Sequence, residues 1–128
     1  MAGAGATAIL DPSILLVPGT LERVNPAAVF EAAGCPVAFV PREEGRRGLD
    51  SLLVDAGLLV RAGLPRAAAI RALALEGAKV LGLEGEVGSV APGRSADLLL
   101  LDGDPFEPRT RLRAVWADGM RITQGDKP

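Results

Sequence analysis

Between residues 87 and 122 the chain is cut so often by turn signals that only short strands fit between them. Pro92-Gly93, Asp102-Gly103-Asp104-Pro105 and Asp118-Gly119 alternate with apolar runs, among them DLLLL at residues 97–101. Pro-Gly and Asp-Gly pairs mark turns, and Asp118-Gly119 between two strand-like runs reads as a two-residue hairpin. The last third is therefore a compact run of β-structure. Gly88 and Gly93 permit turns with positive φ. Asp97 is expected to accept backbone N–H groups where the chain enters this unit, and Leu98 to Leu101 to fill its core. Asp102 and Asp104 look like part of a Ca²⁺ loop, but the chain lacks the further ligands and distal Glu of an EF-hand, so both are read as turn residues.

Upstream the pattern changes to strand–helix alternation. Residues 6–10 and 14–17 read as short strands, separated by Asp11-Pro12-Ser13 and closed by Pro18-Gly19. Asn25 is placed to cap a helix that Pro26 opens, with Val29 and Phe30 expected to face inward and Gly34 as its left-handed stop. PVAFV at residues 36–40 is a short buried strand of the parallel-sheet kind. A polar loop over residues 41–48 leads to a helix at about residues 49–62, with Leu52, Leu53, Ala56, Leu59 and Val60 at helical spacing. A third helix opens at Pro65, its stripe formed by Ala69, Ile70, Leu73, Ala74 and Leu81, and breaks at Gly82. The order β-α-β-α-α followed by β implies an α/β chain with parallel βα units.

Composition narrows the function classes. At 128 residues the chain fits one small domain, and with 3% aromatic residues and no Tyr its core must be built from Ala, Leu and Val. A formal net charge of −2 offers no basic surface for nucleic acid or an anionic membrane. Arg42, Arg46 and Arg47 interleave with Glu43 and Glu44, which reads as a solvated loop. Cys35 is the single cysteine, which excludes an internal disulfide and a Cys-based metal site. It is read as a buried small hydrophobe, since catalytic use calls for a His partner. No apolar run reaches the roughly 18 residues of a membrane span, and the N-terminus lacks a basic region and is broken by Asp11 and Pro12, a poor secretory signal. A cytoplasmic location is the default expectation. Gly3-Ala4-Gly5-Ala6-Thr7-Ala8 formally fits a dinucleotide-binding pattern, but only two residues precede it where a strand is required; a small-residue terminal segment accounts for it.

The motifs together resemble the amidohydrolase superfamily, in its imidazolonepropionase-like branch. VGSVAPGRSADLLLLDGDP at residues 87–105, continued by RLRAVWADGMRI, matches the family's C-terminal signature. AAGCPVAF at residues 32–39 is similar to the helix and strand that close the family's (β/α)₈ barrel, and residues 58–83 to the helix pair behind it. The resemblance implies the last βα units of a TIM-barrel-type amidohydrolase over residues 1–85, a small all-β composite sandwich segment over residues 86–124, and a tail at residues 125–128. It implies a family reaction of metal-dependent hydrolysis of non-peptide C–N bonds, with a zinc-type divalent cation.

The departures are as informative. The chain contains no histidine, whereas the family holds its metal with several. The family's H-x-H strand and other metal histidines belong to barrel strands upstream of the matched segment. Its ligating and basic Asp after the last barrel strand aligns with Arg42, a cation that repels a divalent metal and stays protonated near neutral pH. Glu43, one residue on, is a candidate shifted substitute. The family's A-x-T-x-N-A-A stretch is here Ala72-Leu73-Ala74-Leu75-Glu76-Gly77-Ala78. No catalytic, metal-binding or cofactor-binding residue is therefore assigned, and no cofactor is expected to bind this chain alone. Its expected partner is the missing N-terminal barrel part, or a second copy. A non-catalytic docking or scaffold module is the alternative, and a small enzyme using Glu43, Glu44 or Asp50 as acid and base a third reading.

Overall fold

The computed structural model describes residues 5–122, with the side chains of Arg46, Leu49 and Asp50 outside that description. The Gly3-Ala4 start of the small-residue segment, the tail at residues 125–128 and the Asp50 reading therefore lie outside the described residues. The element order is β1 (Ala8–Leu10), β2 (Leu15–Leu16), β3 (Arg23–Val24), α1 (Pro26–Ala32), β4 (Val37–Phe39), α2 (Arg46–Arg61), α3 (Arg66–Leu73), α4 (Leu75–Val80), β5 (Leu98–Leu101), β6 (Leu112–Ala117) and β7 (Met120–Ile122). Three small sheets result: β1 parallel to β4, β2 antiparallel to β3, and the antiparallel set β5-β6-β7. The α/β expectation holds, with β3 an addition that two polar-flanked residues did not signal.

The core lies where β4 meets α2 and α3. All three β4 residues are buried, and Val37, Ala56, Leu59, Leu64, Ala68, Ala69 and Ala72 belong to one cluster around them. Small residues dominate because β4 and the helices approach closely, as the Ala-rich composition requires. Asn25 binds two elements at once. Its Oδ1 accepts the Ala28 N–H at 3.2 Å, capping α1, while its Nδ2 donates to the carbonyls of Leu59 and Ala62 at the end of α2. Those are carbonyls that a helix terminus leaves without intrahelical partners.

Several inward-facing assignments change. Val29 and Phe30 are exposed, and Ala27 is the residue of α1 that is buried. At about 100° per residue, turning Ala27 and the Asn25 cap toward α2 swings Val29 to the far side. α2 begins at Arg46, earlier than expected, because Gly45 (φ 89°, ψ −168°) turns the chain into the helix in a conformation essentially limited to glycine. The expected third helix breaks at Ala74 (φ −138°, ψ −71°), which shifts the phase of α4 relative to α3. The buried stripe is Ala68, Ala69, Ala72, Glu76 and Ala78, while Ile70 and Leu81 are exposed. Cys35 is half-buried rather than buried.

The C-terminal unit is one three-stranded sheet. Asp118 (φ 47°) and Gly119 (φ 77°) form the two-residue hairpin between Ala117 and Met120, matching the positive-φ demand of such turns. Leu99 and Leu100 of β5 are exposed rather than core-filling, because side chains leave a strand through its two faces and, among the described residues, no layer closes over either face there. Phe106 carries this unit onto the rest of the molecule: it is buried in the main core and its side chain lies 3.6–3.7 Å from where a Cβ on Gly57 would stand.

Candidate functional site

β1 and β4 run parallel in direct register, so the residues after Leu10 and after Phe39 emerge side by side. Asp11 lies just beyond the first strand and Arg42 beyond the second, and Arg42 Nε lies 3.7 Å from Asp11 Oδ2. Both side chains are at least half solvent-exposed, so the pair is worth at most about 1 kcal/mol. Beyond Arg42 a polar cleft of about 500 Å³ is lined by Arg42, Glu43, Arg47, Ser51 and Asp55. Two cations and two carboxylates balance there. Glu43, the shifted substitute for a metal-binding Asp, thus shares its cleft with two arginines, while Glu44 is exposed in the same loop and is not among its walls.

A divalent metal does not suit this donor set. Catalytic sites for such ions take three or more protein ligands, with imidazole a usual donor. The sequence has no histidine, and among the described residues no three His, Cys, Asp or Glu side chains converge. Arg42 stands in the loop where the resemblance puts the ligating carboxylate.

A second charged group lies at the opposite end of β4, and no motif in the sequence marks it. Glu76 in α4 is only 2% exposed. Its Oε1 accepts from Lys79 Nζ at 2.9 Å and lies 4.0 Å from Arg71 Nε, while Oε2 is buried without a partner. Arg71 Nη2 donates to Glu31 Oε2 at 3.3 Å, and Glu31 Oε1 accepts the Val37 N–H that begins β4. The network ties α1, α3 and α4 to β4. Its one sequence signal is an acidic residue among small and apolar ones in ALALEGAKV.

The acidic residues of the C-terminal motif serve its backbone. Asp97 Oδ1 accepts the Asp118 N–H at 2.8 Å, securing the hairpin to the entry of β5, as expected. Asp102 Oδ1 accepts the Arg111 N–H at 2.7 Å, and Asp104 Oδ1 the Phe106 N–H at 2.8 Å. Asp104 also pairs with Arg66 at the start of α3, joining sheet and helices. The Arg111 N–H above all, with Arg113 beside it at 2.7 Å, holds the Asp102 carboxyl below its ordinary pKa.

The sequence profile of the amidohydrolase family matches residues 26–122. The chain belongs to the amidohydrolase family. An imidazolonepropionase from Syntrophobacter fumaroxidans is 38% identical over 105 residues, covering 80% of this chain and 24% of the relative. An adenine deaminase 2 from Bradyrhizobium diazoefficiens is 37% identical over 73 residues, 57% of this chain and 11% of the relative. Among solved structures, an amidohydrolase from Thermotoga maritima MSB8 superposes with a TM-score of 0.69 at 28% identity, over 77% of this chain and 25% of that one. An adenosine deaminase from Xanthomonas campestris with bound zinc shares the fold (TM-score 0.56, 22% identity, 76% of this chain and 28% of that one). The chain thus spans between 11% and 28% of these proteins. Among the described residues no helix is long and apolar enough to cross a membrane.

Proposed function

We propose that this chain is the C-terminal part of an amidohydrolase, contributing the last two βα units of a (β/α)₈ barrel and part of the adjoining sandwich, and that alone it does not hydrolyse C–N bonds. One observation carries this reading. Arg42 lies just past the buried strand β4, where the family resemblance calls for a carboxylate, and it is turned onto Asp11 at the end of the neighbouring parallel strand. A guanidinium cannot ligate a cation or accept a proton near neutral pH, and the sequence has no imidazole to take its place. The parallel pairing of β1 with β4, with helices packed over one side, supports the barrel assignment. Zinc titration of the purified chain, read by calorimetry, with adenine deamination assayed alongside, tests the proposal. The expected result is neither stoichiometric zinc binding nor turnover above the blank. One tightly bound zinc per chain, or turnover, overturns it.

A second reading, a non-catalytic module that docks to another chain, is favoured by β5, which among the described residues pairs with β6 alone and carries the exposed Leu99 and Leu100.

A further inference from the structure

The polar cleft past β4 is lined by charges that do not pair with one another. Arg42 and Glu43 form its loop wall, and Arg47, Ser51 and Asp55 its helix wall. Those three stand at i, i+4 and i+8 of α2, so about 12 Å of helix axis separates Arg47 from Asp55. Arg42 meets Asp11 through Nε at 3.7 Å, longer than a hydrogen bond, which leaves its fork of N–H donors largely uncommitted. Among the described residues Glu43, Arg47 and Asp55 join no ion pair. Ser51 donates its hydroxyl hydrogen to the Gly48 carbonyl at 3.2 Å and keeps its oxygen as an acceptor. The space between the walls, about 500 Å³, has the size of a small-molecule site.

Charges of both signs, held apart on one cleft, select their own occupant. A plain anion meets two carboxylates there, and a plain cation two guanidinium groups, so each is repelled by half of the lining. A molecule with a carboxylate at one end and an ammonium at the other satisfies both halves. Guanidinium groups take carboxylate oxygens in charge-assisted pairs, and an ammonium donates to carboxylates and to a hydroxyl oxygen. An α-amino acid carries its two charges too close together to reach from Arg47 to Asp55. We infer that this cleft binds a straight-chain ω-amino carboxylate, its carboxylate on Arg42 and Arg47 and its ammonium on Ser51 and Asp55. The inference rests on the reading that this mouth holds no metal, and it names the class of ligand accepted instead. Arg42, which unfits the cleft for a divalent cation, is what fits it for a carboxylate.

Amide chemical-shift titration of the isotope-labelled chain with ε-aminocaproate, in the presence of a chelator, tests the inference. Caproate, hexylamine and alanine are the controls: the acid alone, the amine alone, and both charges close together. The expected result is saturable shifts at Arg47, Ser51 and Asp55, with ε-aminocaproate bound at least about tenfold more tightly than any control. Arg47→Ala and Asp55→Ala should each weaken binding about tenfold, the effect of losing a charge-assisted hydrogen bond. Arg121→Ala, in β7, should leave it unchanged. Arg42→Ala replaces either lining variant that does not melt cooperatively. No saturable shift, equal affinity for any control, or affinity that either lining substitution leaves unchanged overturns the inference. Zinc uptake is a separate titration without chelator, so failure of the functional reading is scored apart from this one.

Discussion

The two parts of this molecule use leucine and alanine to opposite effect. From β4 through α4, small residues and a few leucines are sealed inside: Val37, Ala56 and Leu59 are all but inaccessible. From β5 onward, larger apolar residues such as Leu99, Leu100, Leu112, Met120 and Ile122 stand in solvent, and only Ala114 of the sheet is buried. Hydrophobicity alone does not separate the regions. The first has elements on several sides of one strand, whereas the second is, among the described residues, a single sheet with one edge of β5 unpaired. The difference teaches that the helical part buries its own apolar residues, while the sheet is joined to it through the loop after β5, by Phe106 in the main core and by Arg66 on Asp104 and Glu107.

That contrast can be broken by substitution. Phe106→Ala should have the largest effect, a loss of about 4 kcal/mol in urea unfolding, since it empties a core position and releases the sheet. A loss under about 1 kcal/mol would show that the sheet is anchored elsewhere. Leu59→Ala should cost about 3 kcal/mol, by removing a fully enclosed side chain from the helical core. Asn25→Ala should cost about 2 kcal/mol, because it removes the α1 cap and the side-chain donor to the Ala62 carbonyl, while the Leu59 carbonyl keeps the Leu64 N–H. Leu99→Ala, the same loss of carbon as Leu59→Ala but on the open sheet, should stay within about 0.5 kcal/mol for the purified chain. Equal costs at Leu59 and Leu99 would erase the distinction between the regions.

The smallest effect sharpens the same comparison through pH. The folded Asp102 carboxyl is held below its ordinary pKa, chiefly by the Arg111 N–H. Its contribution is therefore present in full above the unfolded value, about pH 4, and is lost as pH falls through the lower folded value. Asp102→Asn should flatten this acid-side decline in a melting series below about pH 4, while leaving the curve near neutrality parallel to the parent's. An unchanged acid slope would mean that the Asp102 turn does not couple to unfolding.

Local rules were legible wherever the chain's own neighbours enforce them. The Asn25-Pro26 start, the Asp118-Gly119 hairpin, the buried β4 strand and the turn duties of Asp97, Asp102 and Asp104 depend on residues within a few positions or on one strand pair. The motif spacing that identified the amidohydrolase family was equally visible, as was the absence of histidine. The Glu31–Arg71–Glu76–Lys79 network was not, because three of its links join separate elements and Glu76 differs from a solvated helix residue only by where α4 packs.

By itself, then, the sequence determined the family, the turns and caps, and the lack of imidazole, because each is a property of residue identity and short-range backbone geometry. Outside β4, only the tertiary structure decided which faces of the patterned helices and strands are buried. Periodicity reports a helix or strand face, but burial requires a second surface to meet it. Val29, Ile70, Leu81, Leu99 and Leu100 carry the pattern of a core without a neighbour against them. The break at Ala74 and the lack, among the described residues, of a layer over β5, neither written in any local signal, are what left several of them in solvent.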